Sequence, residues 1–441
     1  MYRKNPIEKI IAPISRFIIN EKAGGIVLGI SVLLALFLAN FAPFSKYYFE
    51  ILEMKIGLQF NGQSYLEHDI LHWINDGLMA IFFFVIGLEL KKEFVGGELS
   101  NPRKAILPVG AAFGGMLVPA LIYIVFNPLG EVHQGWGIPM ATDIAFSLAV
   151  LYTLGKKVPL SLKVFLTAVA VVDDLGAVIV IAFFYTSEIS VVNLLLGLGA
   201  AFLMFIGNKA GIRNILFYAV LGIGGVWLAF LLSGVHATIA AVLAAFMIPA
   251  DVKIKEDVLL KRIRKHLNRF NDIGANDKIP TLTEQQLFVL EKAKEDFNRA
   301  IPPLQRLEYH LHSFSTFIVL PVFALANAGV SLTLDMNTLF NTNIVFGVMF
   351  GLFFGKVTGI SGATFLLTKT GIALKPDNMT FRNLLGIGLL AGIGFTMSLF
   401  VTSLAFTNPE YETQAKIGIF TASILAAVSG YLVLRSNKNS Y

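Results

Sequence analysis

Residues 160–185 read LSLKVFLTAVAVVDDLGAVIVIAFFY, an apolar run broken at its centre by two adjacent carboxylates, Asp173 and Asp174. At 1.5 Å of rise per residue such a run crosses the ~30 Å hydrocarbon core of a bilayer as one α-helix, which leaves the aspartates near mid-depth. A charged side chain there costs about 2.5–3.5 kcal/mol on insertion scales, so its retention points to function. Neighbouring helical positions diverge by about 100°, so one carboxylate can take a partner while the other stays open to a shared cavity. Like charges so confined favour a bound proton or cation between them. Oxygen ligands are also what a hard ion such as Na⁺ requires.

Outward from this stretch the chain repeats the pattern. Further apolar runs cover 24–41, 73–90, 105–126, 137–154, 191–206, 215–232, 235–250, 314–330, 344–367, 384–406 and 417–434, giving twelve expected spans. The composition agrees: 15% charged residues, against about 25% in soluble domains, and 55% hydrophobic. No cysteine is present, which excludes disulfides, thiol catalysis and thiolate metal sites. With the N-terminus cytoplasmic, 31 of the 35 Lys and Arg residues fall on the cytoplasmic side, whereas only Lys46, Lys55 and Lys416 fall outside. This asymmetry places both termini in the cytoplasm. The net charge of +6 therefore reads as membrane topology, and no nucleic-acid partner is expected.

The expected organisation is one membrane domain. Residues 1–23 form a cytoplasmic amphipathic segment, with Ile7, Ile10, Ile11, Ile14, Phe17 and Ile18 at helical spacing; it precedes a retained first helix and is not a signal peptide. Eight spans fill 24–250, with an outer β-hairpin inside 45–66 where alternating residues flank Asn61-Gly62. A charged cytoplasmic loop, 251–312, carries a helix-compatible stretch from 284 to 297. Four spans fill 313–434, and 435–441 is a cytoplasmic tail.

Two more ionisable residues lie deep in spans, Asp143 and Lys356. A purely structural reading, in which buried ion pairs lock helices together, fails on arithmetic, because one lysine cannot neutralise three carboxylates. Asp143 follows GIPMAT at 137–142, where Gly and Pro interrupt span 4, and Gly386, Gly388, Gly392 and Gly394 interrupt span 11. Interruptions in corresponding halves predict inverted repeats with two broken helices that cross at mid-membrane. Half-helix ends there carry partial charges. Asp143 is expected to balance the N-terminal ends, and Lys356 either to balance the C-terminal ends or to pair with Asp173.

The motifs PMATDIAF at 139–146, VDDLGA at 172–177, SGVHAT at 233–238, ANAGV at 326–330, GK at 355–356 and LAGIGFTMS at 390–398 resemble the NhaA family of sodium/proton antiporters, through nearly the whole membrane region. The broken-helix rule is drawn in part from that family, so the two readings are not independent. The resemblance implies a pH-dependent, electrogenic antiporter of the bacterial inner membrane, exporting Na⁺ or Li⁺ against external protons without a cofactor. It implies Asp173 and Asp174 as the ion and proton site, Thr142 and Asp143 as support for the crossing, and Lys356 as the partner of Asp173. It further implies a pH response through Glu89, Glu93, His236 and Glu308, and a homodimer formed through the outer hairpin. Two departures stand out: 251–312 is long for the family, and Tyr309 stands where a histidine is common. From the residues alone, His236 is equally a packed helix histidine, and Glu89 and Glu93 beside Lys91 and Lys92 an interfacial charge cluster.

Other classes fit less well. An intramembrane aspartyl protease needs Gly-x-Gly-Asp and aspartates on separate helices, whereas Val171 and Val172 precede this adjacent pair. A cation channel offers no reason for a mid-membrane lysine. A sodium-coupled solute symporter is the alternative function, and Na⁺-driven collapse of a proton gradient separates it from an antiporter.

Overall fold

The computed structural model describes residues 21–60, 63–186, 189–273, 281–330, 342–374 and 379–436. Most of the N-terminal amphipathic segment, the Asn61-Gly62 turn and the end of the C-terminal tail lie outside them.

The chain is mostly helical. In order come α1 (Glu21–Asn40), α2 (Phe44–Glu53), a hairpin of β1 (Lys55–Phe60) and β2 (Gln63–Asp69), α3 (Ile70–Gly96), α4 (Pro102–Phe126), a 3-10 helix (Glu131–Met140), α5 (Ile144–Thr153), α6 (Leu160–Phe184), α7 (Val191–Lys209), α8 (Ile215–Leu231) and α9 (Ala237–Met247). Then follow α10 (Glu256–Ile273), α11 (Glu284–Ala300), α12 (Pro303–Asn327), α13 (Ile344–Lys369), α14 (Phe381–Ala391), α15 (Phe395–Ala405) and α16 (Pro409–Arg435). Among the described residues eight helices are long and apolar enough to cross a membrane; α14 and α15, bent by 46° at their break, make a ninth span if taken together. Helices α8 and α9 are apolar but shorter. The multi-pass membrane character follows, and the outer surface agrees with it: Phe183, Leu195 and Leu216 are 79%, 62% and 67% exposed, as side chains facing lipid are.

Local chemistry sets the helix ends. Asn101 accepts from Arg103 N at 3.0 Å and Pro102 opens α4; Asn408 accepts from Glu410 N at 2.9 Å and Pro409 opens α16. The hairpin strands pair antiparallel from Lys55 opposite Asp69, with one irregularity between Ile56 and Leu58. Trp73 Nε1 donates to Ile56 O at 3.0 Å, fastening the hairpin to α3.

Small residues bring α4 and α13 into backbone contact. Both carry Gly-x-x-x-Gly, at Gly110–Gly114 and Gly355–Gly359. A Cβ on Gly114 would lie 2.5 Å from the Gly359 carbonyl oxygen, so no larger residue fits there. That approach buries Lys356, which follows Gly355 on α13, completely. The main core surrounds the meeting point of α5, α14 and α15, with Phe83 tilted and Phe323 edge-on against Phe400 beside it. A second, smaller core joins α7, α8 and α9 to α3.

Several extents differ from the sequence reading: where the hairpin was expected inside 45–66, α2 occupies Phe44–Glu53 and β2 runs on to Asp69. Helix α12 starts at Pro303, not at 314, because the polar residues of its first turns belong to a continuous amphipathic helix opened by Pro303 at its first position. The 251–312 loop holds two long helices, α10 as well as α11, the latter opened by a capping box between Thr283 and Gln286.

Candidate functional site

The four intramembrane charges converge where two helical paths break and pass each other. Between Met140 and Ile144 the backbone is extended, with Ala141 at φ −83°, ψ 147° and Asp143 at φ −84°, ψ 99°. The opposing break is Gly392 to Gly394, where a Cβ on Gly394 would lie 3.1 Å from the Ala141 carbonyl oxygen. Asp143 N donates to Ile393 O at 2.7 Å, joining the two breaks.

Broken helices expose orphan backbone groups, and this site supplies partners for them. Asp143 Oδ1 accepts from Phe146 N at 3.0 Å, capping α5, while Asp143 Oδ2 accepts from Thr396 N at 3.0 Å and from Thr396 Oγ1 at 2.5 Å, capping α15. One carboxylate thus serves two N-terminal dipole ends. At the opposite poles, Ser147 Oγ donates to Leu390 O at 2.8 Å and Thr142 Oγ1 to Ala391 O at 2.9 Å, both at the C-terminal end of α14. Ser398 Oγ donates to Ile138 O at 2.8 Å across the other break.

Helix α6 lays the aspartate pair beside this crossing. Lys356 Nζ is ion-paired with Asp173 Oδ2, which lies 2.7 Å from Thr142 Oγ1 and shares that hydroxyl's single proton with Ala391 O; the lysine is 0% and the aspartate 1% exposed. Of the two roles the residues left open for Lys356, the structure shows the pair with Asp173. Asp174 differs. Both its oxygens, together with Asp173 Oδ1, are buried with no hydrogen-bond partner among the described residues. Buried carboxylate oxygens are seldom left so. Three acceptor oxygens on consecutive residues therefore remain for a proton or a cation. Among the described residues no cluster of three His, Cys, Asp or Glu side chains is arranged to hold a resident metal ion.

A cavity of about 900 Å³ reaches the crossing, with Asp143 and Thr396 in its lining. Glu89, Glu308 and His312 also line it. His312 Nδ1 lies 3.1 Å from Glu89 Oε1, and Lys92 Nζ lies 2.6 Å from Glu308 Oε1. The structure therefore brings Glu89 and Glu308 together at one cavity but not the other two pH-response candidates. Glu93 Oε2 instead accepts from Glu98 N at 2.9 Å, closing the turn after α3, and His236 Nε2 lies 2.8 Å from Tyr185 O at the end of α6. Sequence reasoning missed Ser147, Thr396, Ser398 and His312. The first three stand within a few residues of the breaks, which was the available signal.

The family profile described as "Na+/H+ antiporter 1" matches residues 15–434. The chain belongs to the NhaA family of Na⁺/H⁺ antiporters. Named relatives include the Na⁺/H⁺ antiporter NhaA of Oleidesulfovibrio alaskensis, 46% identical over 98% of this chain and 95% of that protein, and that of Sulfurimonas denitrificans, 45% identical over 97% and 96%. The Na⁺/H⁺ antiporter NhaA 2 of Syntrophotalea carbinolica is 44% identical over 96% of each. A sodium proton antiporter of Methanocaldococcus jannaschii, solved as a structure, shares the fold with a TM-score of 0.50 over 98% of this chain and all of that one, at 12% identity. The family consists of transporters, not enzymes, so this NhaA-family chain is a secondary transporter, and the protease reading falls away.

Proposed function

We propose that this chain exports Na⁺, and Li⁺, in exchange for protons that compete for the oxygens of Asp173 and Asp174. The observation that carries the reading is the pair of unpartnered, fully buried Asp174 oxygens beside the free Oδ1 of Asp173. Na⁺ takes oxygen ligands and discharges them, and a proton neutralises the same atoms, so the two occupants exclude one another. Lys356 and Thr142 hold the second Asp173 oxygen, which leaves Asp174 as the entry ligand and Asp173 as the group whose ion pair loosens when the load changes. Asp143 keeps the crossing intact by capping two helix N-termini. With about two protons moved per Na⁺ the cycle carries net charge, and a membrane potential drives it at about 2.3 kcal/mol per charge per 100 mV.

The charge asymmetry of the loops supports an inner-membrane placement with both termini cytoplasmic, and hence a cavity that opens inward at Glu89 and Glu308. Sited there, these residues and His312 are suited to tune access with pH. The two opposed breaks support a twelve-span scaffold of inverted repeats, with α5 and α15 as halves of the crossing helices. The two-stranded hairpin offers an outer edge for homodimer pairing.

Proteoliposomes with a trapped pH dye test the site. Asp173→Asn and Asp174→Asn are each expected to insert normally yet abolish Na⁺-dependent proton movement, because an amide neither titrates nor supplies a full negative charge. Near wild-type exchange by both variants would remove the site assignment.

A further inference from the structure

Helices α10 and α11 form an arm that transport chemistry does not explain. They pack on each other through seams of alternating three- and four-residue spacing: Leu259, Ile263, His266, Phe270 and Ile273 on α10, half-buried, face Gln286, Val289, Ala293, Asp296 and Ala300 on α11. Within the seam Asp296 takes Arg262 at 2.9 Å and His266 at 3.0 Å, so the inward charges are paired.

The outward ones are not. Lys261, Arg264, Lys265 and Arg269 are exposed on the opposite side of α10 along one groove, and none has an ion-pair partner among the described residues, although Asp257 and Asp272 lie at its edges. Leu260 and Leu267, seven residues apart and so on one face, are 60% and 65% exposed with Arg264 between them. A helix at the headgroup boundary turns such a basic face to anionic lipid.

The arm is rooted at the ends of membrane helices. Leu304 N donates to Pro249 O at 3.2 Å, joining its two roots; Arg213, in the α7–α8 connection, pairs with Asp251 at 2.7 Å; and Asn208 Nδ2 donates to Met247 O at 2.8 Å. Helix α10 therefore begins beside the bilayer surface, where a modest attraction suffices because the tether keeps the local concentration high. Two copies of so basic a face would repel, while anionic phospholipid complements it.

We propose that α10 docks on anionic phospholipid headgroups through Lys261, Arg264, Lys265 and Arg269, with Leu260 and Leu267 on the flank beside Arg264. The chain lacks cysteine, so Asn268→Cys gives the full-length protein a single labelling site on this face. A fluorophore there is read in nanodiscs of phosphatidylcholine with or without phosphatidylglycerol, each holding the same fraction of headgroup-spin-labelled lipid. The expected result is emission lost in the anionic discs only, regained at about 1 M salt, where the screening length is ~3 Å, and regained when all four basic residues are changed to glutamine. Emission equal in the two lipids would overturn the proposal, as would quenching that survives the fourfold variant. An unchanged melting temperature of that variant shows it folded. Energy transfer between arms of two copies, independent of lipid charge, would instead assign this face to self-association and likewise overturn it.

Discussion

Replacing Lys356 by alanine probes the buried pair most sharply. The lysine is fully enclosed and its ammonium is ion-paired with Asp173, itself 1% exposed, with Thr142 as the other residue donating to that carboxylate among the described residues. Removing one partner of a buried pair strands the other charge, at about 3–5 kcal/mol. For 441 residues, at ~2.1 cal/mol/K of unfolding entropy per residue, that loss corresponds to a fall of about 3–5 °C in melting temperature. The assay is thermal unfolding of detergent-purified protein at neutral pH. The double variant Lys356→Ala with Asp173→Asn leaves no stranded charge, so its deficit should fall well short of the sum of the single deficits. Lys356→Arg, which keeps the charge in a bulkier group, should recover part of the stability and of the exchange. Wild-type melting for the alanine variant, or strict additivity in the double variant, would refute the stranded-charge reasoning.

Thr396→Val removes a hydrogen bond to the Asp143 carboxylate and should destabilise by about 1.5–3 kcal/mol, clearly more than Thr358→Val, whose hydroxyl bonds only carbonyls of its own helix; chemical or thermal unfolding compares the two. Burial pulls the Asp296 carboxyl upward, but hydrogen bonds from His266 and Arg262 outweigh it and hold the group below the usual carboxylate range. A folded-state value so depressed means that its contribution to the α10–α11 arm is complete above about pH 3.9 and disappears as pH falls through the folded value. Asp296→Asn should therefore speed hydrogen exchange in α10 and α11, residues 256–273 and 284–300, at pH 7, and equal protection in variant and wild type would contradict the seam pairing. Deleting 55–66 should shift native mass spectra from dimer to monomer while exchange persists, and an unchanged dimer would exclude the hairpin as the contact.

Much of the site was legible because its physics is expensive: a charge inside an apolar run is visible in any sequence, so Asp143, Asp173, Asp174 and Lys356 stand out without coordinates. The breaks were legible through Gly and Pro. What the sequence hid was ordinary in composition. Ser147 and Ser398 look like any small polar residue of a membrane helix, and only the crossing reveals that each satisfies a carbonyl of the opposing path. The extra-membrane arm was half visible: α11 shows as the helix-compatible stretch from 284 to 297, whereas the apolar seam of α10 is diluted by five Lys and Arg residues between 261 and 269. Glu93 and His236 lie away from the cavity that Glu89 and Glu308 share, in the turn after α3 and in the packing at the end of α6.

The central claim is competition between Na⁺ and protons for the Asp173–Asp174 oxygens, and the direct measurement is the apparent Na⁺ affinity of reconstituted protein, from Na⁺-induced currents across pH 6 to 9. Competition predicts that affinity improves by up to about tenfold per pH unit for each proton displaced, until the site is empty of protons. It also predicts that the Asp174→Asn protein gives no current at any pH. A wild-type Na⁺ affinity that stays constant across this range would contradict the account.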